Sequence, residues 1–273
     1  MTFTSNQLDQ FQTEGYLIVP GFFESREVAA MQGEIERFKR EGKLRNVATE
    51  GDGATHSTTK ANLQLCPMSP HSELFKTLPF APEVRAAISE LIGNPVVLHL
   101  DQVFLKPARH GAGTNWHQDN AYFQIEQPLM GAAMWIAVHD ANLENGTLRV
   151  IPGSHLSKLE HTRDPDSDHH IRCYPSEENV VPAIMQAGGV IFFAYGVAHA
   201  TGANRTEHDR AGAAYHFVNG KAVDAAYFQS RHADTKHPYL TGDRYDGGLL
   251  AYGDNLDGEW DGVVERTRAL APR

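Results

Sequence analysis

The chain has 273 residues, of which 41% are hydrophobic and 21% charged, the balance of a folded globular protein rather than a disordered one. Its formal charge is −10, from 24 basic against 34 acidic residues, which argues against general binding to nucleic acid or an anionic membrane and still permits a local basic pocket for a small acid. Cys66 and Cys173 are too few for a disulfide scaffold and match no zinc spacing, so they read as free thiols in a reducing compartment.

The first residues carry no basic and apolar regions of a secretory signal, no apolar run approaches a membrane span, and Ala-Pro-Arg273 is no peroxisomal address. The expectation is a cytoplasmic protein without membrane attachment.

Thr4 and Gln7 fit a capping box, and Gly15 fits the stop of the helix that follows. Tyr16 to Val19 reads as a short strand closed by Pro20-Gly21. A second helix is predicted from Ser25, with Val28, Met31, Ile35 and Phe38 on one stripe. Residues 41 to 80 are poorly patterned and polar, which suits either a binding lid or a plain surface loop. Pro82 to Ile92 reads as a third helix, with Val84, Ile88, Leu91 and Ile92 on its apolar face and Gly93 past its end.

After Asn94-Pro95 the period changes to two. Strands are expected over 96–100, 102–106, 131–138, 148–151, 190–193 and 211–218, separated by Gly/Pro turns. Residues 156–178 are charged and rich in histidine and read as a solvated loop, with a part in covering a substrate left open. The stretch from 219 onward reads as loop-rich with no clear long helix, and there is no internal repeat. Helices first and short strands after suggest a mainly β protein with flanking helices, its core a β-sandwich or a jelly roll (a cupin-like double-stranded β-helix). The expected organisation is one domain: a helical part over about 1–93, the core over about 94–218, and an extension over 219–273.

The chemistry centres on Trp116-His117-Gln118-Asp119. On a strand, residues i and i+2 share a face, so His117 and Asp119 would offer an imidazole nitrogen and a carboxylate oxygen to one metal ion. Two ligands imply a third. His199 stands just beyond an apolar strand among small residues, and barrel strands bring distant residues to one mouth. Two histidines and one carboxylate with open positions favour non-haem Fe(II) and oxygen chemistry.

Four features then occur in order: His117-Gln-Asp119 with Tyr122-Phe123; Trp135, Asp140 and Glu144-Asn-Gly146 leading to Ile151-Pro-Gly-Ser-His155; Ala187-Gly-Gly-Val-Ile-Phe-Phe193; and His199-x-x-Gly202-x-Asn204-x-Thr206-x-x-x-Arg210. In this combination, over about residues 8–218, the chain resembles the phytanoyl-CoA dioxygenase family of Fe(II)- and 2-oxoglutarate-dependent oxygenases. The resemblance implies that His117, Asp119 and His199 bind iron, leaving three positions for 2-oxoglutarate and O2. It places Arg210, eleven residues past His199, on the distal carboxylate of 2-oxoglutarate, with the nearer Arg205 as its competitor. Thr201 matches a hydroxyl that assists that carboxylate, and Trp135 an aromatic beside the co-substrate, although a large core residue is its plainer reading. Gln102 is a further hydrogen-bond partner for the bound acid.

His199-Ala200 departs from the family's usual His-Gly. Asp119 retains a ligand that related halogenases replace with a small residue, so hydroxylation of an unactivated C–H bond of a small molecule, or a related oxidation, is expected, with release of succinate and CO2. Substrate choice would rest on residues 41–80, Asn120 to Phe123 and 156–178. Two rivals remain open: a cupin-like metalloenzyme that does not use 2-oxoglutarate, and a catalytically silent protein that binds a small acid. No pattern specifies an oligomeric state.

Overall fold

The computed structural model describes residues 2–230 and 236–270. Two antiparallel sheets face each other. The larger runs in the order Tyr16–Val19, Val190–Ala194, Gly131–Ala137, Arg210–Asn219, Val96–Lys106, Leu63–Leu65, Arg45–Asn46. The smaller runs Val181–Pro182, Leu148–Val150, Ala198–Thr201, Thr114–Gln118. This is the jelly roll expected from the strand pattern.

The central strands are buried on both faces. Every residue of Arg210–Asn219 is buried, which explains its run of Ala and Gly where a one-sided strand would alternate with polar residues. Ala211, Ala213, Tyr215 and Phe217 enter the core shared with the helices, whereas Arg210, Ala214 and His216 line a cavity between the sheets. The two segments expected over 96–106 form one continuous strand. Its pairing with Arg210–Asn219 shifts between His216 and Phe217, opposite Leu100 and Leu98, so His99 is the extra residue of a bulge.

The helices back the larger sheet. Ser5–Glu14 starts on the Thr4/Gln7 capping box and ends at Gly15, whose φ of 82° is the left-handed turn that glycine supplies without strain. Ser25–Arg40 buries Val28, Met31, Ile35 and Phe38, and Pro82–Ile92 buries Val84, Ile88, Leu91 and Ile92, as their stripes predict. Residues 41–80 are more ordered than their polarity suggested, containing the last two strands at one side of the larger sheet and the helix Glu73–Thr77. The C-terminal stretch likewise holds a helix, Trp260–Leu270, that its sparse apolar pattern did not announce. Trp260 and Val264 are buried, and the Trp260 indole donates to the carboxylate of Glu27 on Ser25–Arg40. No helix among the described residues is long and apolar enough to cross a membrane.

Candidate active site

His117 lies on Thr114–Gln118 and His199 on Ala198–Thr201, and the two are direct cross-strand partners in the smaller sheet. Asp119 has already left the strand. Its backbone is helical, at φ −57° and ψ −33°, and its carbonyl accepts from Tyr122 and Phe123 in the turn Asn120–Phe123. The two side chains therefore converge through a strand-to-helix turn and not through a shared strand face. Asp119 Oδ1 sits 3.8 Å from His117 Nε2 and 3.7 Å from His199 Nε2. One donor atom from each of the three residues lies within 4.8 Å of the others.

The imidazoles are set for coordination. His117 Nδ1 donates to the Asn115 carbonyl at 2.8 Å and His199 Nδ1 to the Val197 carbonyl at 3.0 Å, so each Nε2 is left as a lone pair aimed at Asp119. Burial, and next the neighbouring His199, push the His117 pKa down to about 3, which keeps it neutral. Burial opposes the Asp119 charge, but His199, His216 and His117 outweigh it and hold the carboxyl below its ordinary range. Two imidazoles and one carboxylate at one point are the donor set of a facial iron(II) site, so the residues present fit that ion.

The triad opens on a cavity of about 370 Å³. All the other residues singled out in the sequence line it as well: Gln102, Trp135, Thr201 and Arg210. Arg210 is 1% exposed, bonds the carbonyls of Asn145 and Gly146, and lies with its Cζ 5.6 Å from the Trp135 ring centroid. Burial pulls its pKa down to about 9, which leaves it cationic at neutral pH. Arg205 is exposed and outside the cavity wall.

The motif residues around Arg210 now have physical tasks. A Cβ on Gly146, whose φ is 76°, would collide with the Gly202 carbonyl, so the two glycines permit the close backbone approach that places the carbonyls bonded by Arg210. Asn204 donates to the Lys106, Pro107 and His208 carbonyls and ties the strand carrying Lys106 to the loop before Arg210. Thr201 Oγ1 accepts from the Thr114 N–H at 3.0 Å, which leaves its own proton to donate. Gln102 accepts from Gln64 at 2.9 Å, and none of the described residues accepts from its amide nitrogen. Trp135 serves both readings, since its indole lies against the backbone of Gly212 and also forms cavity wall.

Three cavity residues escaped the sequence reading. Lys106, 1% exposed, is the direct cross-strand partner of Arg210 and donates to the Ala112 carbonyl. Burial, then Arg210, push its pKa well below the ordinary lysine value. Among the described residues no carboxylate pairs with Lys106 or Arg210. His216 donates from Nε2 to Asp119 Oδ2 at 3.2 Å. His170 stacks at 11° on His117, ring centroids 6.2 Å apart, and is buried in the loop expected to be solvated. That loop is not free: Thr49 N–H bonds the Asp166 carbonyl at 3.0 Å, Asp168 N–H the Val47 carbonyl at 3.1 Å and Gly53 N–H the Pro165 carbonyl at 2.7 Å. Arg45 closes the seam on the Asp168 carboxylate. Paired backbone, invisible to composition, holds both polar stretches beside the cavity.

The family model for phytanoyl-CoA dioxygenase matches residues 11–212. The L-proline trans-4-hydroxylase of Streptomyces griseoviridis is 31% identical over 204 residues, which are 71% of this chain and 72% of that protein. The ectoine dioxygenase of Bordetella bronchiseptica is 24% identical over 227 residues, 76% of this chain and 73% of that one. Among solved structures, the epimerase SnoN in complex with Fe3+, alpha ketoglutarate and nogalamycin RO superposes with a TM-score of 0.66 at 21% identity, covering 88% of this chain and 96% of SnoN. EctD from S. alaskensis with 2-oxoglutarate and 5-hydroxyectoine superposes with a TM-score of 0.64 at 20% identity, covering 93% and 86%. The structural likenesses speak for the shared fold, and the matched sequence, which spans well over half of the chain, decides the kinship: the chain belongs to the phytanoyl-CoA dioxygenase family.

Proposed function

We infer that the chain is an iron(II)- and 2-oxoglutarate-dependent dioxygenase that hydroxylates an unactivated C–H bond of a small molecule. The observation that carries this reading is the pairing, in one cavity, of a His-Asp-His donor set with two buried basic side chains, Arg210 and Lys106, that lack a carboxylate partner among the described residues. A buried basic group without a counter-ion is costly to charge, so the pair is matched to an acid that enters from outside and supplies the counter-charge.

His117, Asp119 and His199 would hold the ion through Nε2, Oδ1 and Nε2. Arg210 would take the distal carboxylate of 2-oxoglutarate with its planar guanidinium, and Lys106 would add a second positive charge opposite it. The Thr201 hydroxyl and the Gln102 amide supply further donors, and Trp135 closes the wall. Once bound, iron and the oxo-acid supply an oxidant from O2 with loss of succinate and CO2. The chain's own part is to bind and orient both partners and to keep water out beneath the two seamed loops.

The substrate belongs in the part of the cavity under those loops, where His170 and Tyr122 face inward. Relatives named for the hydroxylation of proline and the dioxygenation of ectoine support a small molecule as substrate. Retention of Asp119 as a ligand supports hydroxylation.

The direct test is anaerobic titration of the metal-free protein with Fe(II) and then 2-oxoglutarate, watching for a weak visible charge-transfer band. The band should form with one equivalent of each. Iron binding without a band on adding the oxo-acid would favour a metalloenzyme of another kind, and no binding of either would favour a silent acid-binding protein.

A further inference from the structure

We propose that His216 is a positioning residue: by occupying Oδ2 of Asp119, it confines the carboxylate to one oxygen toward the metal and so keeps a coordination position open. The proposal rests on the functional reading above. His117 and His199 converge on Oδ1, while Oδ2 accepts from His216 Nε2 at 3.2 Å. A carboxylate with both oxygens free can close onto a metal through both, and one so engaged cannot without breaking this bond. A metal held by these three residues would still need room for the oxo-acid and O2. A second oxygen from Asp119 would consume part of that room.

The surroundings fix the ring for this single task. His216 is 3% exposed and lies on the same face of its strand as Arg210 and Ala214. The Phe123 ring packs edge-on against it with centroids 5.3 Å apart, and Phe123 belongs to the turn that immediately follows Asp119. Its Nδ1 is buried with no hydrogen-bond partner among the described residues. A histidine placed only to fill space would be replaceable by an apolar side chain without that unsatisfied atom, so the ring is retained for what Nε2 does. The other acid nearby, Asp101 on the neighbouring strand, is already engaged by the Met68 and Ser69 N–H groups, at 2.5 and 2.8 Å, and by the Ser69 hydroxyl at 3.0 Å. His216 is therefore directed to Asp119 alone.

The test replaces His216 in the full chain by Leu, which removes the donor, and by Gln, which restores an N–H near the position of Nε2. Each protein is titrated anaerobically with Co(II), whose visible spectrum reports coordination number, and then with 2-oxoglutarate. His216→Leu should alter the Co(II) spectrum and weaken 2-oxoglutarate binding by about tenfold or more, with His216→Gln returning both toward wild type. Unchanged spectrum and affinity in His216→Leu would overturn the proposal. So would a Gln variant that matches Leu in both readouts while sharing the wild-type urea midpoint, because volume and not the hydrogen bond would then be the cause. If the wild type takes up Co(II) but no 2-oxoglutarate, the functional reading fails, and the spectral comparison of the variants still decides the role of His216.

Discussion

Arg210 and Arg205 lie five residues apart and differ in everything that matters to an anion. Arg210 is sealed in the cavity wall with its guanidinium bonded only to carbonyls, whereas Arg205 projects into solvent. Arg210→Ala should weaken 2-oxoglutarate binding by about 2–3 kcal/mol, roughly 30- to 150-fold, the range for a hydrogen-bonded charged group. Arg205→Ala should leave it within about twofold, since exposed charges contribute little. Lys106→Met should cost roughly tenfold while leaving the fold intact, because an apolar isostere removes a buried basic group and leaves no charge unpaired. Titrations of the metal-loaded variants with 2-oxoglutarate check all three, and equal effects for Arg210 and Arg205 would move the anchor. At this scale the sequence was legible where a side chain sits inside an ordered motif, as His117, Asp119, His199 and Arg210 do. Lys106 was not, because a lysine ending a strand reads as solvated until the register sets it opposite Arg210. His216 was likewise one histidine among 15, with nothing local to mark its partner.

Elements with a strong period were readable, and those held by partners were not. The helices Ser5–Glu14, Ser25–Arg40 and Pro82–Ile92 carry their own caps or stripes, and each forms where its pattern points. Residues 45–60 and 162–172 carry no such pattern, since their order comes from bonds to each other across more than a hundred residues of chain. Trp260–Leu270 was missed for a related reason: only Trp260, Val263 and Val264 are buried, with Gly262 between them, too few apolar positions to show a helical period. Its anchor is concentrated instead in Trp260, which packs near-edge-on against Phe23 at 6.4 Å and bonds Glu27. Trp260→Ala should therefore cost about 3–5 kcal/mol in urea unfolding. Because this helix contributes nothing to the cavity wall, 2-oxoglutarate affinity should persist under native conditions. A large loss of affinity with an unchanged unfolding midpoint would contradict that division.

Taken whole, the molecule sets a cationic interior against an acidic exterior. The chain carries −10, yet the cavity wall holds the buried bases Lys106 and Arg210, and among the described residues that line it Asp119 is the one acid. Composition argues against polyanionic partners and leaves room for such a pocket, but only the closing of two sheets brings its parts together. The cross-strand pairing of His199 with His117 also determines when in the life of the chain the metal can act. The two residues are separated by 82 positions, and the ladder joining them exists only after the intervening strands have crossed between sheets. Of the triad, a nascent or unfolded chain thus holds only His117 and Asp119 near each other, and long-range closure must come before the third ligand joins them. The ion should be a late clamp and not a seed: refolding rates should be the same with and without divalent metal, while unfolding slows as metal is added. Stopped-flow refolding and unfolding in urea, with Mn(II) as a redox-inert probe, would show this division. Accelerated refolding would mean that the ligands meet before the sheets do.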